Sequence, residues 1–205
     1  MSGFGVYVHI PFCRHRCDYC AFATWTDRDH LMVAYVDAVI ADITRAVEKG
    51  MPVADTVFFG GGTPTRLAPE LLASIVNAIP VTSKAEITIE CNPDDVTVEM
   101  MKIYADAGVN RISMGVQSMV DHVLQSLGRT HDPANVVKAI AAAREGGITS
   151  INLDLIYGVH GESVDDWRTT VEQTIALQPT HISAYGLTVE AGTPLAEDPS
   201  RHPDD

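Results

Sequence analysis

Apolar residues gather along the chain in six short runs: GVYVHI (5–10), DTVFFG (55–60), EITIEC (86–91), RISMGV (111–116), SINLDLI (150–156) and HISAYGLT (181–188). Within them apolar and polar positions alternate, the period of a strand. Between the runs the period lengthens to that of a helix. The first helical stretch, about 28–49, puts Met32, Val36, Val39, Ile40, Ile43 and Val47 on one face and runs out at Gly50 and Pro52. Later stretches open on Thr97, on Asp132 followed by Pro133, and on Ser163 with Asp166 three residues on, each a capping pattern. Every interval between strands is long enough for a crossover helix, which predicts an α/β fold with parallel strands.

Parallel strands covered on both faces read as nearly unbroken apolar runs, and these do not. One phase holds Val6, Val8, Val57, Phe59, Ile87, Ile89, Ile112, Met114, Val116, Ile151, Leu153 and Leu155; the other holds Tyr7, His9, Thr88, Glu90, Ser113, Gln117, Asn152 and Asp154. Side chains alternate across a strand, so the first set faces helices and the second a shared interior too polar to be a packed plug. The pattern predicts a partial (βα)6 barrel with an open lumen that holds a polar ligand, its chemistry on loops at the carboxyl ends of the strands. Taken singly, each polar residue has an alternative use as one half of a buried hydrogen-bonded pair. After Thr193 the run PLAEDPSRHPDD is rich in proline and charge without an apolar period. Residues 1–195 are therefore expected to form the core domain, and 196–205 an acidic, Pro-rich linker or frayed tail toward a C-terminal domain absent from this chain.

The 205 residues suffice for one substantial core. Fourteen Lys plus Arg against 27 Asp plus Glu give a formal charge of −13, which disfavours nucleic acid as a partner. No run reaches the apolar length of a transmembrane segment, and the opening MSGFGVYVHIPF lacks a basic end followed by an apolar stretch, so a cytoplasmic protein is expected.

Chemistry concentrates just after the first strand, where Cys13, Cys17 and Cys20 stand in the spacing Cys-x3-Cys-x2-Cys with no fourth cysteine nearby. An ordinary iron–sulfur cluster takes four thiolates, so a tight trio suggests a [4Fe-4S] cube with one iron left open to a non-protein ligand. A zinc site completed by His9 or His15 is the alternative. Arg14 and Arg16 interleave the trio, either favouring thiolates or serving as solvated loop charges. GGGTPT, Gly60 to Thr65, is a turn whose backbone N–H groups can approach an anion ahead of a helix near residue 68, or a purely structural glycine turn. Glu90 lies in the inward phase, needing either a ligand or an ion pair to Arg111 or Arg129. Cys91 points the other way and reads as a core thiol. Gln117, Arg129 and Asp154 offer acceptors and a forked donor for a polar ligand, each with a structural alternative. No role is assigned to His131, His160 or His181.

With these residues laid out, the chain resembles the radical SAM (S-adenosylmethionine) family that contains the oxygen-independent coproporphyrinogen III dehydrogenase and the heme chaperones. The resemblance rests on VYVHIPFCRHRCDYCAF, FFGGGTPT, ITIECNPDD, GVNRISMGVQS, LGRTH and INLDLIYGV, in one order from about residue 5 to about 195. It implies that Cys13, Cys17 and Cys20 ligate a [4Fe-4S] cluster and that SAM chelates the fourth iron. It further implies SAM contacts at Tyr7, Tyr19, Gly61, Gly62, Thr63, Glu90, Gln117, Arg129, Asp154 and Thr188. The dehydrogenase branch has a further cysteine two residues after the trio; here that place is Phe22. This departure and the short N-terminal segment are similar to the heme chaperone branch, HemW-like proteins related to the oxidative decarboxylase without its activity. Heme as cargo, a heme acceptor protein and a reductant such as a flavodoxin or ferredoxin are the implied partners. The resemblance carries no residue onto a catalytic role or a heme ligand.

Overall fold

A computed structural model describes residues 3–203. Six strands, β1 (Gly5–Ile10), β2 (Ala54–Gly61), β3 (Val81–Cys91), β4 (Arg111–Gln117), β5 (Ser150–Tyr157) and β6 (His181–Gly186), form one sheet in sequence order, with every neighbouring pair parallel. β1 and β6 are its two open edges, so the sheet does not close. The crossovers carry α1 (Met32–Glu48), α2 (Pro69–Ala78), α3 (Val98–Asp106), α4 (Asp121–Ser126), α5 (Pro133–Glu145) and α6 (Val164–Ala176). This is the expected six-unit partial barrel.

The apolar phase is the core. Phe59, Ile89, Ile112, Met114, Val116, Ile151 and Leu153 are fully buried and pack against helix residues such as Leu72, Ile75, Met101, Tyr104 and Ile140. The opposite phase lines a common cavity of about 550 Å³: Phe58, Glu90, Arg111, Ser113, Gln117, Asn152, Asp154, Ser183 and Tyr185 reach it from five strands. Three helices start where their caps were expected. Thr97 Oγ1 accepts the Met100 N–H (3.1 Å), Asp132 Oδ1 accepts the Ala134 N–H (2.7 Å), and Ser163 with Asp166 forms a reciprocal capping box. These contacts satisfy backbone donors that the first helical turn leaves free.

Two expectations need correction. α1 begins at Met32, after a 3-10 turn at Asp29–Leu31 and with no side-chain cap at Leu31 to mark its start, and Val47 is exposed at its far end. β6 stops at Gly186 and does not continue to residue 188. The helix after the glycine run begins at Pro69 with Ala68 as its N-cap, near residue 68 as expected, after a 3-10 turn at Pro64–Arg66. Beyond β6 the described part of the chain lies against the cysteine loop. Leu195 is buried, Pro199–Arg201 makes a 3-10 turn, and Arg201 pairs with Asp18 (2.6 Å). One apolar anchor and one ion pair order a segment whose composition alone reads as linker. Among the described residues, no helix is long and apolar enough to cross a membrane.

Candidate functional site

The loop between β1 and α1 is closed at its neck. Trp25 N–H donates to Pro11 O (2.8 Å) and Cys13 N–H to Trp25 O (3.1 Å), while His9 Nε2 meets Ala23 O (2.9 Å) and the Tyr35 hydroxyl donates to His9 O. Between these ties, Cys13, Cys17 and Cys20 are free thiols that all line the cavity. They share the cavity without closing on one ion: among the described residues, no three His, Cys, Asp or Glu side chains could hold a single metal ion. Thr63 Oγ1 lies 3.6 Å from Cys13 Sγ, and Arg129 Nη1 donates to Cys17 Sγ at 3.5 Å.

Burial outweighs the flanking arginines at Cys13 and Cys20. Desolvation pushes Cys13 and Cys20 above the usual thiol range, and the lowering effect of Arg16 and Arg129 on Cys20 is smaller. Arg14 instead pairs with Asp95 (3.4 Å), and Arg16 donates to Cys20 O (3.0 and 3.2 Å). Metal binding at such thiols must therefore release protons.

The glycine run lies against this loop. Gly62 N–H donates to Ile10 O (2.8 Å) and Thr63 N–H to Phe12 O (2.8 Å), extending the β1–β2 pairing, while Gly61 N–H donates to Glu90 Oε2 (3.1 Å). The expected anion cradle is thus corrected, since three of its N–H groups already have partners. What glycine supplies is proximity. A β-carbon on Gly62 would lie 2.7 Å from Ile10 O, 2.8 Å from Phe12 O and 3.1 Å from Cys13 Sγ. One on Gly61, which has φ +108°, would lie 2.4 Å from the His9 ring.

Glu90 faces the cavity beside Gly61. Among the described residues neither Arg111 nor Arg129 forms an ion pair with it. Burial raises its pKa to about 7, opposed by the Gly61 N–H and reinforced by the Asp154 charge. Asp154 Oδ2 accepts from Ser113 Oγ (2.6 Å) and Oδ1 from Asn152 Nδ2 (2.8 Å), and Asn152 Nδ2 also reaches Ser113 Oγ (2.7 Å). Gln117 ends β4 with φ 64° at a register irregularity between Gly115 and Gln117, left-handed backbone that non-glycine residues rarely adopt. Its side chain lines the cavity. Arg129 is pinned on three sides, by Gly115 O (2.8 Å), Cys17 Sγ (3.5 Å) and His131 Nδ1 (3.3 Å), so its fork is largely committed to the protein.

Of the residues the resemblance implied, Tyr19, Gly61, Gly62, Thr63, Glu90, Gln117, Arg129 and Asp154 line one cavity with the three cysteines. Tyr7 stacks on Phe58 at the open edge (ring centroids 6.2 Å apart), and Thr188 is exposed beyond β6; neither lines the cavity. Sequence reasoning placed Ser113 and Asn152 in the inward phase without assigning them to a site. It also missed Thr24, Phe58 and Arg111, which share the cavity wall. The signal available for Phe58 and Arg111 was strand parity: Phe58 pairs with Thr88, and Thr88 with Arg111. Of the unassigned histidines, His131 packs beside Arg129, His181 joins the Asn152 network, and His160 meets His202 O (3.2 Å).

A family model described as the Radical SAM superfamily matches residues 7–174. The chain belongs to the radical SAM superfamily. Membership implies a [4Fe-4S] cluster and SAM as cofactors, and the free thiols, the close glycine approach and the polar lumen fit that pair. Among curated relatives of this radical SAM chain, it is 37% identical over 193 residues to the heme chaperone HemW of Bacillus subtilis (strain 168), covering 91% of this chain and 51% of that protein. Its identity to the Mycobacterium tuberculosis (strain ATCC 25618 / H37Rv) heme chaperone HemW is 39% over 201 residues, 94% of this chain and 52% of that one. The chain thus spans about half the length of these relatives. The solved structure of coproporphyrinogen III oxidase (HemN) from Escherichia coli, described as a radical SAM enzyme, superposes with a TM-score of 0.82 at 30% identity, covering 90% of this chain and 44% of that chain.

Proposed function

We propose that this chain is the radical SAM core of a HemW-like heme chaperone. In this reading Cys13, Cys17 and Cys20 hold a [4Fe-4S] cluster, and Tyr19, Gly61, Gly62, Thr63, Glu90, Gln117, Arg129 and Asp154 receive SAM. The observation that carries it is the convergence of three free thiols, the glycine-lined end of β2 and the carboxylates Glu90 and Asp154 on one cavity. When bound, the pair supplies one-electron transfer to a sulfonium. The chain's own contribution is to exclude water and fix polarity. Glu90, without a cationic partner among the described residues, suits an ammonium group; Asp154, held by Ser113 and Asn152, presents an oriented acceptor; Arg129 holds the Cys17 side of the loop in place.

The proposed cargo is heme, passed to an acceptor protein, with a flavodoxin or ferredoxin as reductant and the cytoplasm as its setting. Residues 1–195 would be the core, and 196–205 the start of the connection to a further domain. Similarity to HemN raises oxidative decarboxylation of a porphyrinogen as a second reading. Phe22, exposed on the cavity rim where the dehydrogenase branch carries a cysteine, weighs against it.

Anaerobic reconstitution should give about four irons and four sulfides per chain, with a spectral change on adding SAM. Cys17→Ser should lose both. One tightly held zinc with no iron would reject the proposal. Heme titration of the longer protein, run beside a coproporphyrinogen III decarboxylation assay, then separates carrier from catalyst: decarboxylation without heme uptake would reverse the assignment.

A further inference from the structure

The cysteine loop is tied at its neck by the fold, but its tip is held from a distance. Asp18 lies between Cys17 and Cys20, and its N–H donates to Leu127 O (3.3 Å). Gly128 sits so close that a β-carbon there would lie 2.7 Å from the Asp18 carboxyl carbon, at a φ of +67°. The remaining partners come from the segment after β6. Leu195 N–H donates to Asp18 O (2.9 Å), and Arg201 Nη2 donates both to Asp18 Oδ2 (2.6 Å) and to Ser126 O (2.8 Å). Arg201 is in turn located. Asp198 caps its 3-10 turn by accepting the Ser200 N–H (3.2 Å), His202 Nε2 meets Leu195 O (3.0 Å), and the Leu195 side chain is 2% exposed.

We infer that residues 193–202 clamp the tip of the cysteine loop onto the end of α4, with Arg201 as the positioning residue. To the contacts that Leu127, Gly128 and Arg129 already make with the loop, the guanidinium adds a charge-assisted bond to the residue between two thiols. Cys13 is fixed by the neck and stays put when the clamp opens. Cys17 and Cys20 lie on the clamped side, so pulling the segment away loosens both, with the Arg129–Cys17 contact as the remaining tie. For its effect on a cluster the inference rests on the proposed function; the grip on the loop does not.

Trypsin reads the loop directly, because Arg14 and Arg16 lie in it and are exposed, and cleavage there requires local opening. On metal-free protein, Arg201→Ala and Asp18→Ala should each be cut after Arg14 or Arg16 about tenfold faster than the native chain, with Arg201→Lys in between. Cleavage after Arg45 and Arg168, on distant helices, should not change. After reconstitution, the same variants should lose iron faster to a chelator. Equal cleavage rates in the native chain and both alanine variants overturn the clamp. So does acceleration at all four arginines in Asp18→Ala, which would make the pair a strut of the whole fold. Asp18→Ala keeps the backbone contacts of residue 18 and the Arg201–Ser126 bond, so it decides the case in which Arg201→Ala fails to fold. Native protein that binds no iron yet shows clamp-dependent protection rejects the proposed cofactor and leaves the clamp standing.

Discussion

Glu90→Gln is expected to make the ligand-free protein more stable while spoiling its site. Folded Glu90 has a pKa of about 7 against an ordinary value of 4.5, the cost of burying a carboxylate beside Asp154 with one N–H for company. Below pH 4.5 both the folded and the unfolded chain carry the proton and Glu90 costs nothing. As the pH climbs toward 7 the unfolded chain ionises first, and stability falls. Above 7 both forms are ionised and the loss is complete, about 3 kcal/mol from the 2.5-unit difference between 7 and 4.5. Glutamine keeps an acceptor for the Gly61 N–H and removes the charge. Urea unfolding of the metal-free native chain and the variant at pH 5, 6.5 and 8 checks this. The variant should gain little at pH 5 and up to about 3 kcal/mol at pH 8. Using the difference between the two curves removes other raised carboxyls, such as Asp95 and Glu162, from the comparison. A pH-independent difference, or a variant weaker than the native chain at pH 8, would refute the reasoning. The same charge should help binding. A cationic group settling beside Glu90 lowers its pKa, so uptake of SAM near pH 6.5 should release protons, seen as a buffer-dependent heat, and Glu90→Gln should abolish that release.

Gly62→Ala should destabilise the metal-free chain by about 1–3 kcal/mol, since its new carbon would meet two backbone carbonyls and Cys13 Sγ between 2.7 and 3.1 Å. Native-like urea unfolding with full iron uptake would contradict this. His131 carries the opposite pH signature to Glu90. Burial and the neighbouring Arg129 push its pKa down to about 4, so its contribution is intact above pH 6.5 and is lost as the pH falls toward 4. His131→Gln should therefore flatten the loss of stability on acidification, and an unchanged acid limb in urea unfolding would refute it.

Much of the fold is legible because its physics is local. Alternation along each strand divides the residues between helix-facing and lumen-facing sets, and a one-residue error would have inverted both. Thr97, Asp132 and Ser163 declare helix starts through bonds made within three residues. Where local signals are weak, the reading slips. The start of α1 has no side-chain cap, so the pattern runs on into the 3-10 turn before it. How the segment after β6 packs is not written in its proline and charge: it rests on Leu195 and Arg201 reaching Asp18, which lies 183 residues from Arg201 in sequence.

The site divides along the same line. Cysteine spacing and strand parity announce which residues meet, but not how their hydrogen-bonding capacity is spent. Three glycines read as an anion cradle until their neighbours are counted: the N–H groups of Gly61, Gly62 and Thr63 already serve Glu90, Ile10 and Phe12. Arg129 reads as a fork for a carboxylate until Gly115, Cys17 and His131 occupy it. What remains beside Gly61 is Glu90, free of any ion pair among the described residues, with Arg111 on the same wall bonded only to Thr88 Oγ1. A buried carboxylate in that position favours a cationic guest over an anionic one. The glycines bring the thiol loop close, Arg129 grips its Cys17 side, and the carboxylates Glu90 and Asp154 mark the part of the cavity suited to a cationic group.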